Sequence, residues 1–281
     1  MTTVVCWLNK SEEEHRLWSI ADTQISRKDR DVLGKQIVYT ELLKYGAKIF
    51  PLYIKCKTDF FSPNPYFEHS IGMAYAGASL IGLNIYATLA NILQNLNNCN
   101  KEIPSISDVA NCVKNLLELM AISVGASGSD ATCEIAIFGF CYPSYQFKIF
   151  HLETDISSGK LEIKVTEGDI SNDNYFLLLG SKKDEIRTFI YQKRTEYEKT
   201  HLEWWYAPEK VIKEIVSEKK FNGIGGSVQR GISTKSGFQL YSYVVPLNKG
   251  DSQAGILYQN IDIFQEIGLV GNCIIGIPGL S

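Results

Sequence analysis

The sequence predicts an α+β domain, on three observations. Apolar residues make up 45% and charged residues 21% of the 281, the balance of a chain that folds around a sizeable core. Strand-like and helix-like segments come in blocks: strands, two helices, strands, two helices, strands. Blocks of that kind build layers rather than a βαβ winding. No repeat, low-complexity tract or linker interrupts residues 1–281, so one domain is expected, with an apolar tail from about residue 267.

Taken in order, residues 2–8 (TTVVCWL) are β-rich and read as a buried strand. A polar turn from Asn9 to His15 leads to a second strand, Leu17 to Ile25, closing a hairpin. Gly46 to Ile54 is a third strand, and Phe61 to Tyr66, with Pro63 and Pro65, is a loop. Ile71 to Ala76 is a short strand of small residues. The first helix spans Ala78 to Leu96, with Leu80, Leu83, Ala87, Ala90 and Leu93 at helical spacing. A second starts near Ser105 or Ser107, carries Val109, Val113, Leu116, Leu117 and Met120 on one side, and ends at Gly125 and Gly128. Four strands follow: Glu134 to Cys141, Gln146 to Leu152, Leu161 to Val165 and Tyr175 to Leu179. Lys182 to Lys199 and Pro208 to Lys220 are helices. Ser227 to Ser233 and Phe238 to Val245 form a hairpin, and Gly255 to Phe264 is the last clear strand.

Composition excludes several functions. A net charge of -3 without a basic block leaves nucleic acid no electrostatic footprint. Residues 71–100 carry no charge over more than a bilayer's thickness. Their Gly72, Gly77, Gly82, Asn84, Asn91, Gln94 and Asn95 read instead as a buried segment, and no membrane role is expected. The seven cysteines are scattered without C-x-x-C, which fits a reducing compartment and a cytoplasmic location. The four histidines are far apart in sequence and show no metal-ligand spacing, so neither a metal nor a cofactor is expected.

Several short motifs occur in one order. Met1 precedes Thr2, and methionine is removed before a small residue. A terminal threonine unites a hydroxyl nucleophile with an α-amine base that titrates near neutrality. Then come Ser19-Ile20-Ala21-Asp22-Thr23 at a strand end, Gly46-Ala47-Lys48-Ile49-Phe50 on the next strand, Gly72 to Ala78 (GMAYAGA) opening into a helix, and Leu179-Gly180-Ser181 between a strand and a helix. The set resembles the proteasome β-subunit and HslV-type N-terminal-nucleophile (Ntn) hydrolase family over roughly residues 2–245. That resemblance implies a four-layer αββα sandwich.

It also implies roles. Thr2 matches the nucleophile, Asp22 and Lys48 the charge pair beside it, Gly77 the backbone donor to the oxyanion, and Ser181 the serine that supports the amine. A lysine near the amine disfavours its protonated form, and a glycine lets the oxyanion donor approach closely. Tyr75 and Ser26 are implied in substrate binding, with Tyr75 as the floor of a specificity pocket. Each residue also has a plainer reading: Asp22 as a turn residue, Lys48 as a solvated edge lysine, Gly77 as a turn glycine, Ser181 as a helix cap and Tyr75 as core. Two departures stand out. Asn222 occupies the place of an expected aspartate and Gly225 that of a serine. The function implied is a threonine peptidase or amidohydrolase acting on a polypeptide or peptide through a Thr2 acyl-enzyme. A homo-oligomeric ring, open to an ATPase partner, goes with it. The alternatives are an inactive ring or scaffold subunit and a small-molecule amidase.

Overall fold

The computed structural model describes residues 2–30, 37–123, 132–155, 161–246 and 254–280. Gly125, Gly128 and Met1 lie outside the described residues. The chain opens with β1 (Thr3–Asn9) and β2 (Arg16–Asp22), then β3 (Ile25–Arg30), β4 (Ile37–Leu43), β5 (Ile49–Lys57) and β6 (Phe67–Gly77). Helix α1 (Ser79–Ile92), the short β7 (Leu96–Asn97) and α2 (Ile106–Ser123) follow. Next come β8 (Cys133–Cys141), β9 (Gln146–Asp155), β10 (Glu162–Glu167) and β11 (Leu177–Gly180), then α3 (Lys183–Thr195) and α4 (Leu202–Ser217). The chain ends with β12 (Val228–Thr234), β13 (Gly237–Pro246), β14 (Ala254–Tyr258), β15 (Ile261–Asp262), a π-helical turn at Ile263–Ile267 and β16 (Gly279–Leu280).

One sheet runs β11-β1-β2-β12-β13-β14-β15, with β16 joined to β13; the other runs β10-β9-β8-β6-β5-β7. The central strands are covered on both faces, which is why they are nearly continuous apolar runs. Side chains alternate along them with a period of two. On β1, Val5 and Trp7 pack towards α3 and α4, while Val4 and Cys6 pack towards the other sheet. On β6, Ile71, Met73 and Tyr75 pack towards α1 and α2, while Ala74 and Ala76 face the first sheet.

The expected four-layer αββα sandwich is corrected here. The molecule is mixed α/β with several antiparallel sheets and a curled half-barrel. A separate two-stranded ribbon, β3-β4, projects from it, and β14, β15 and β16 extend the larger sheet past the region that the helices cover. The ribbon is charged on β3 (ISRKDR) and has no apolar alternation to announce it. The expected strand Gly255 to Phe264 is broken at Gln259 and Asn260, both left-handed with φ of 53° and 66°. That pair makes a two-residue hairpin without glycine, which asparagine tolerates. Helix α4 begins at Leu202 and not at Pro208: proline suits a first turn, but here it sits inside the helix behind the buried Trp204 and Trp205.

The inward face of α1 also differs from expectation. The buried stripe is Ile81, Ile85 and Leu89, continued by Leu93, whereas Leu80 is 67% and Leu83 40% exposed. An uncharged helix offers two apolar faces, and periodicity alone does not choose between them. Gly82 shows which one was taken, because a Cβ there would lie 2.5 Å from the Tyr75 ring. The uncharged stretch of residues 71–100 is divided between β6, α1 and β7, and among the described residues no helix is long and apolar enough to cross a membrane.

Gly82 supports a prediction of reversed sign. In an open helix Gly→Ala stabilises by about 1 kcal/mol. Here the added methyl meets a fully buried ring, and overpacking costs about 1–3 kcal/mol. Gly82→Ala is expected to lower the urea midpoint; a midpoint at or above that of the parent would show that the ring yields freely.

Candidate functional site

The ends of β1, β2, β5, β6 and β11 meet at one corner. Asp22, the last residue of β2, is fully buried. Its Oδ1 accepts from the Thr3 N–H at 2.9 Å and from Lys48 Nζ at 2.7 Å, and its Oδ2 accepts from the Gly225 N–H at 3.2 Å. Lys48 is fully buried as well, and its Nζ also donates to the Gln24 carbonyl at 2.6 Å. It is therefore no solvated edge lysine, and Asp22 does more than close a turn. Burial pushes the Lys48 pKa below its usual range, and the charge and hydrogen bond of Asp22 offset only part of that.

The backbone around the pair is held tightly. Gln229, buried on β12, accepts from the Lys48 and Ile49 N–H groups, each at 2.9 Å, and donates to the Ile49 carbonyl at 2.8 Å. The loop of residues 222–226 lies against Thr23 and Gln24, whose N–H groups reach the Gly225 carbonyl at 3.2 and 3.0 Å. At Gly226, φ is +79° and a Cβ would stand 2.5 Å from the Lys44 carbonyl oxygen, so glycine is required. Gly225 contributes only backbone to Asp22, and Asn222 is exposed.

Thr2 is 8% exposed, and its carbonyl accepts from the Ser181 N–H at 2.9 Å. Gly180 lets the strands close in: at its φ of +92°, a Cβ would lie 2.0 Å from the Thr2 oxygen and 3.3 Å from the Ala76 methyl. Gly77, next after Ala76, is exposed at the end of β6 with φ +99°. Ser181 does not cap α3; the cap position is Lys182, in the left-handed region. Thr2, Asp22, Lys48, Gly77 and Ser181 thus gather at one place.

The two residues expected to bind substrate lie in different surroundings. Ser26 lies beyond the corner on β3, half-buried, where its hydroxyl accepts from Gln24 Nε2 at 2.8 Å and donates to the Gly223 carbonyl at 3.3 Å. Tyr75 is corrected. It points to the helix side of β6, 1% exposed, its ring packed against Gly82 and parallel to Phe50, so it is core and not the floor of an open pocket.

Sequence reasoning missed two neighbours of the corner. Gln229 had no signal, since a glutamine on a strand is unremarked until its partners are known. Glu134 had one: it is the lone charge in the apolar strand CEIAIFGFC. Its Oε1 accepts from the Gly180 N–H at 3.3 Å, and its Oε2 accepts from Lys183 Nζ at 2.5 Å and lies 3.0 Å from His151 Nε2. Burial raises its pKa, but the hydrogen bonds from His151 and Lys183 outweigh that and hold the carboxyl below the usual carboxylate range.

No family model matches the chain, and no curated protein does. Among solved structures it is similar to Anbu (ancestral beta-subunit) from Yersinia bercovieri, with a TM-score of 0.52 and 12% identity over 85% of this chain and 86% of that one. At that identity the likeness shows the fold alone. The chain has an Anbu-like fold. The assignment to the proteasome β-subunit and HslV-type family is thereby corrected: no family model or curated protein supports it, and the likeness found is to Anbu.

Removing one partner of a buried ion pair leaves a charge uncompensated and costs about 3–5 kcal/mol. Lys48→Met should show that loss in urea unfolding, and the double variant Asp22→Asn with Lys48→Met should recover part of it. A double variant no more stable than the single one would contradict this reading of the pair.

Proposed function

We propose that the chain is an N-terminal threonine hydrolase that cleaves amide bonds of a peptide or polypeptide through a Thr2 acyl-enzyme. The observation that carries this reading is the shared Oδ1 of Asp22, which holds the Thr3 N–H at 2.9 Å and the Lys48 ammonium at 2.7 Å. A buried cation is thereby fixed against the backbone that follows Thr2.

In this reading, whatever precedes Thr2 is removed and its α-amine is free. Lys48 opposes protonation of that amine. Thr2 Oγ attacks the substrate carbonyl and passes its proton to the amine, and the Gly77 N–H takes the oxyanion. The amine returns the proton to the leaving nitrogen, leaving an ester on Thr2. Water, deprotonated by the same amine, then hydrolyses the ester. Ser181 supports the reading through its N–H on the Thr2 carbonyl, which sets the direction of the terminus.

A second reading, a non-catalytic ring or scaffold subunit, is favoured by Gly225, which offers Asp22 an N–H but has no hydroxyl to orient an amine. Thr2→Ala separates the two. It should reduce hydrolysis of a fluorogenic peptide panel about a thousandfold or more, with the far-UV circular dichroism unchanged and the native chain showing the mass of a Thr2 terminus. Activity within a few-fold of the parent would remove Thr2 from the reaction.

Either reading accommodates self-association. Helix α1 carries no charge, and Leu80, Leu83 and Ile92 stand exposed on it. Two copies of a charged face repel one another, whereas an uncharged apolar face can be buried against itself. The expected outcome is a closed homo-oligomer in light scattering at micromolar concentration, shifted towards monomer by Leu80→Glu with Leu83→Glu. A monomeric parent would exclude it.

A further inference from the structure

Glu134, His151 and Glu153 place one ligand atom each within 4.8 Å of one another. We propose that these three residues form a binding site for a divalent transition-metal ion of the zinc class, and that the ion displaces Lys183 from Glu134.

Strand pairing makes the cluster. Glu134 on β8 stands directly opposite Glu153 on β9, and His151 lies two residues before Glu153 on the same face. Carboxylates directly opposite one another repel and are destabilising. The cations nearby only partly relieve this. Lys183 Nζ is taken up by Glu134 Oε2. Lys164 stands opposite Glu153 and attracts it, but its ion pair is with Asp155, so one ammonium is shared between two carboxylates. The cluster is therefore rich in donors and short of positive charge.

One imidazole nitrogen and two carboxylate oxygens match the donors of three-ligand zinc-class sites, which leave a fourth position for water. Such an ion holds its ligands at about 2.0–2.2 Å, which sets them roughly 3–3.5 Å apart; Glu134 Oε2 and His151 Nε2 already stand at 3.0 Å, so it is the longest separation in the cluster that must close, by roughly 1–1.5 Å. The carboxylate ends of half-buried side chains can rotate that far. His151 ligates through Nε2 as the neutral ring, so any proton on that nitrogen leaves it when the ion binds. Lys183 is the first residue of α3, with its side chain 31% exposed, so its ammonium can swing into water. None of this depends on the proposed activity at Thr2.

The test is a Co²⁺ titration of the full chain followed by visible absorption, with Zn²⁺ competition. Cys99 and Cys273 are exposed, and thiolate ligation would announce itself by a sulfur-to-metal charge-transfer band. The expected result is one equivalent bound without that band. His151→Ala and Glu153→Gln should each weaken binding about tenfold or more, and Lys183→Ala should tighten it several-fold. Glu153 is not the carboxylate that holds Gly180 and Lys183, so its variant keeps the test sharp should another fail to fold. A thiolate band, affinity indifferent to His151→Ala and Glu153→Gln, or no binding by either the parent or Lys183→Ala would overturn the site. An unchanged affinity in Lys183→Ala would overturn the displacement.

Discussion

The ion pair between Asp22 and Lys48 ties together pieces of chain that are otherwise far apart. Asp22 accepts from β1, from the residue just before β5 and from the loop before β12, through Thr3, Lys48 and Gly225. Taking two charges out of water costs several kcal/mol each, and their attraction offsets that only if further hydrogen bonds satisfy them. Here three donors converge on the carboxylate, and the ammonium has a second acceptor in the Gln24 carbonyl. A pair of packed apolar side chains would hold the sheets together about as well. What it would not supply is a fixed positive charge beside the first residues of the chain.

The sheets deliver that charge because their facing surfaces are small where they must be close. Gly180 admits the Thr2 carbonyl, Ala76 fills the space beside it, and Gly72 makes room for the Phe138 ring, which would lie 2.3 Å from a Cβ at that position. Gln229 then does with a side chain what a strand would do with backbone, closing the bonds of Lys48 and Ile49 across the gap between the sheets. Register is thus fixed at the corner by polar contacts and away from it by apolar packing. Trp7 shows both at once, buried against the helices while its Nε1 donates to the Trp205 carbonyl at 2.9 Å.

The five residues that the family resemblance picked out as the catalytic set meet at the corner, and they share a local feature. Thr2, Asp22, Lys48, Gly77 and Ser181 sit at or just beyond strand ends, and an apolar run with a polar residue at its end is a local signal. The fold was less legible. Strand β3 (ISRKDR) is charged and has no hydrophobic period, the turn at Gln259 and Asn260 lacks glycine, and α1 has two apolar faces of similar strength. The layer count came with the family resemblance and was overread, because a series of short motifs does not reveal how far a sheet extends or curls. Tyr75 was misplaced for a related reason: a strand residue's face is set by register against its neighbours, and a shift of one residue exchanges pocket for core. The Glu134 cluster was invisible because its members, separated by seventeen and nineteen positions, meet only through the pairing of β8 with β9.

Glu134 holds the end of β11 through Gly180 and Asp22 the start of β1 through Thr3, and the difference between them is exposure. Lys48 is enclosed and bonded on two sides, to Asp22 and to the Gln24 carbonyl. Lys183 caps a carboxylate that is 22% exposed, from a helix start open to solvent. Coulomb attraction at such a site is weakened several-fold by the nearby water, so the ammonium is exchangeable. Glu134 also holds the Gly180 N–H, one residue from the Ser181 N–H that holds the Thr2 carbonyl. A change of cation at Glu134 therefore reaches Thr2 through two hydrogen bonds and a single peptide link. The corner combines one charge that cannot leave with one that can, and only the second is able to respond to what the solution contains.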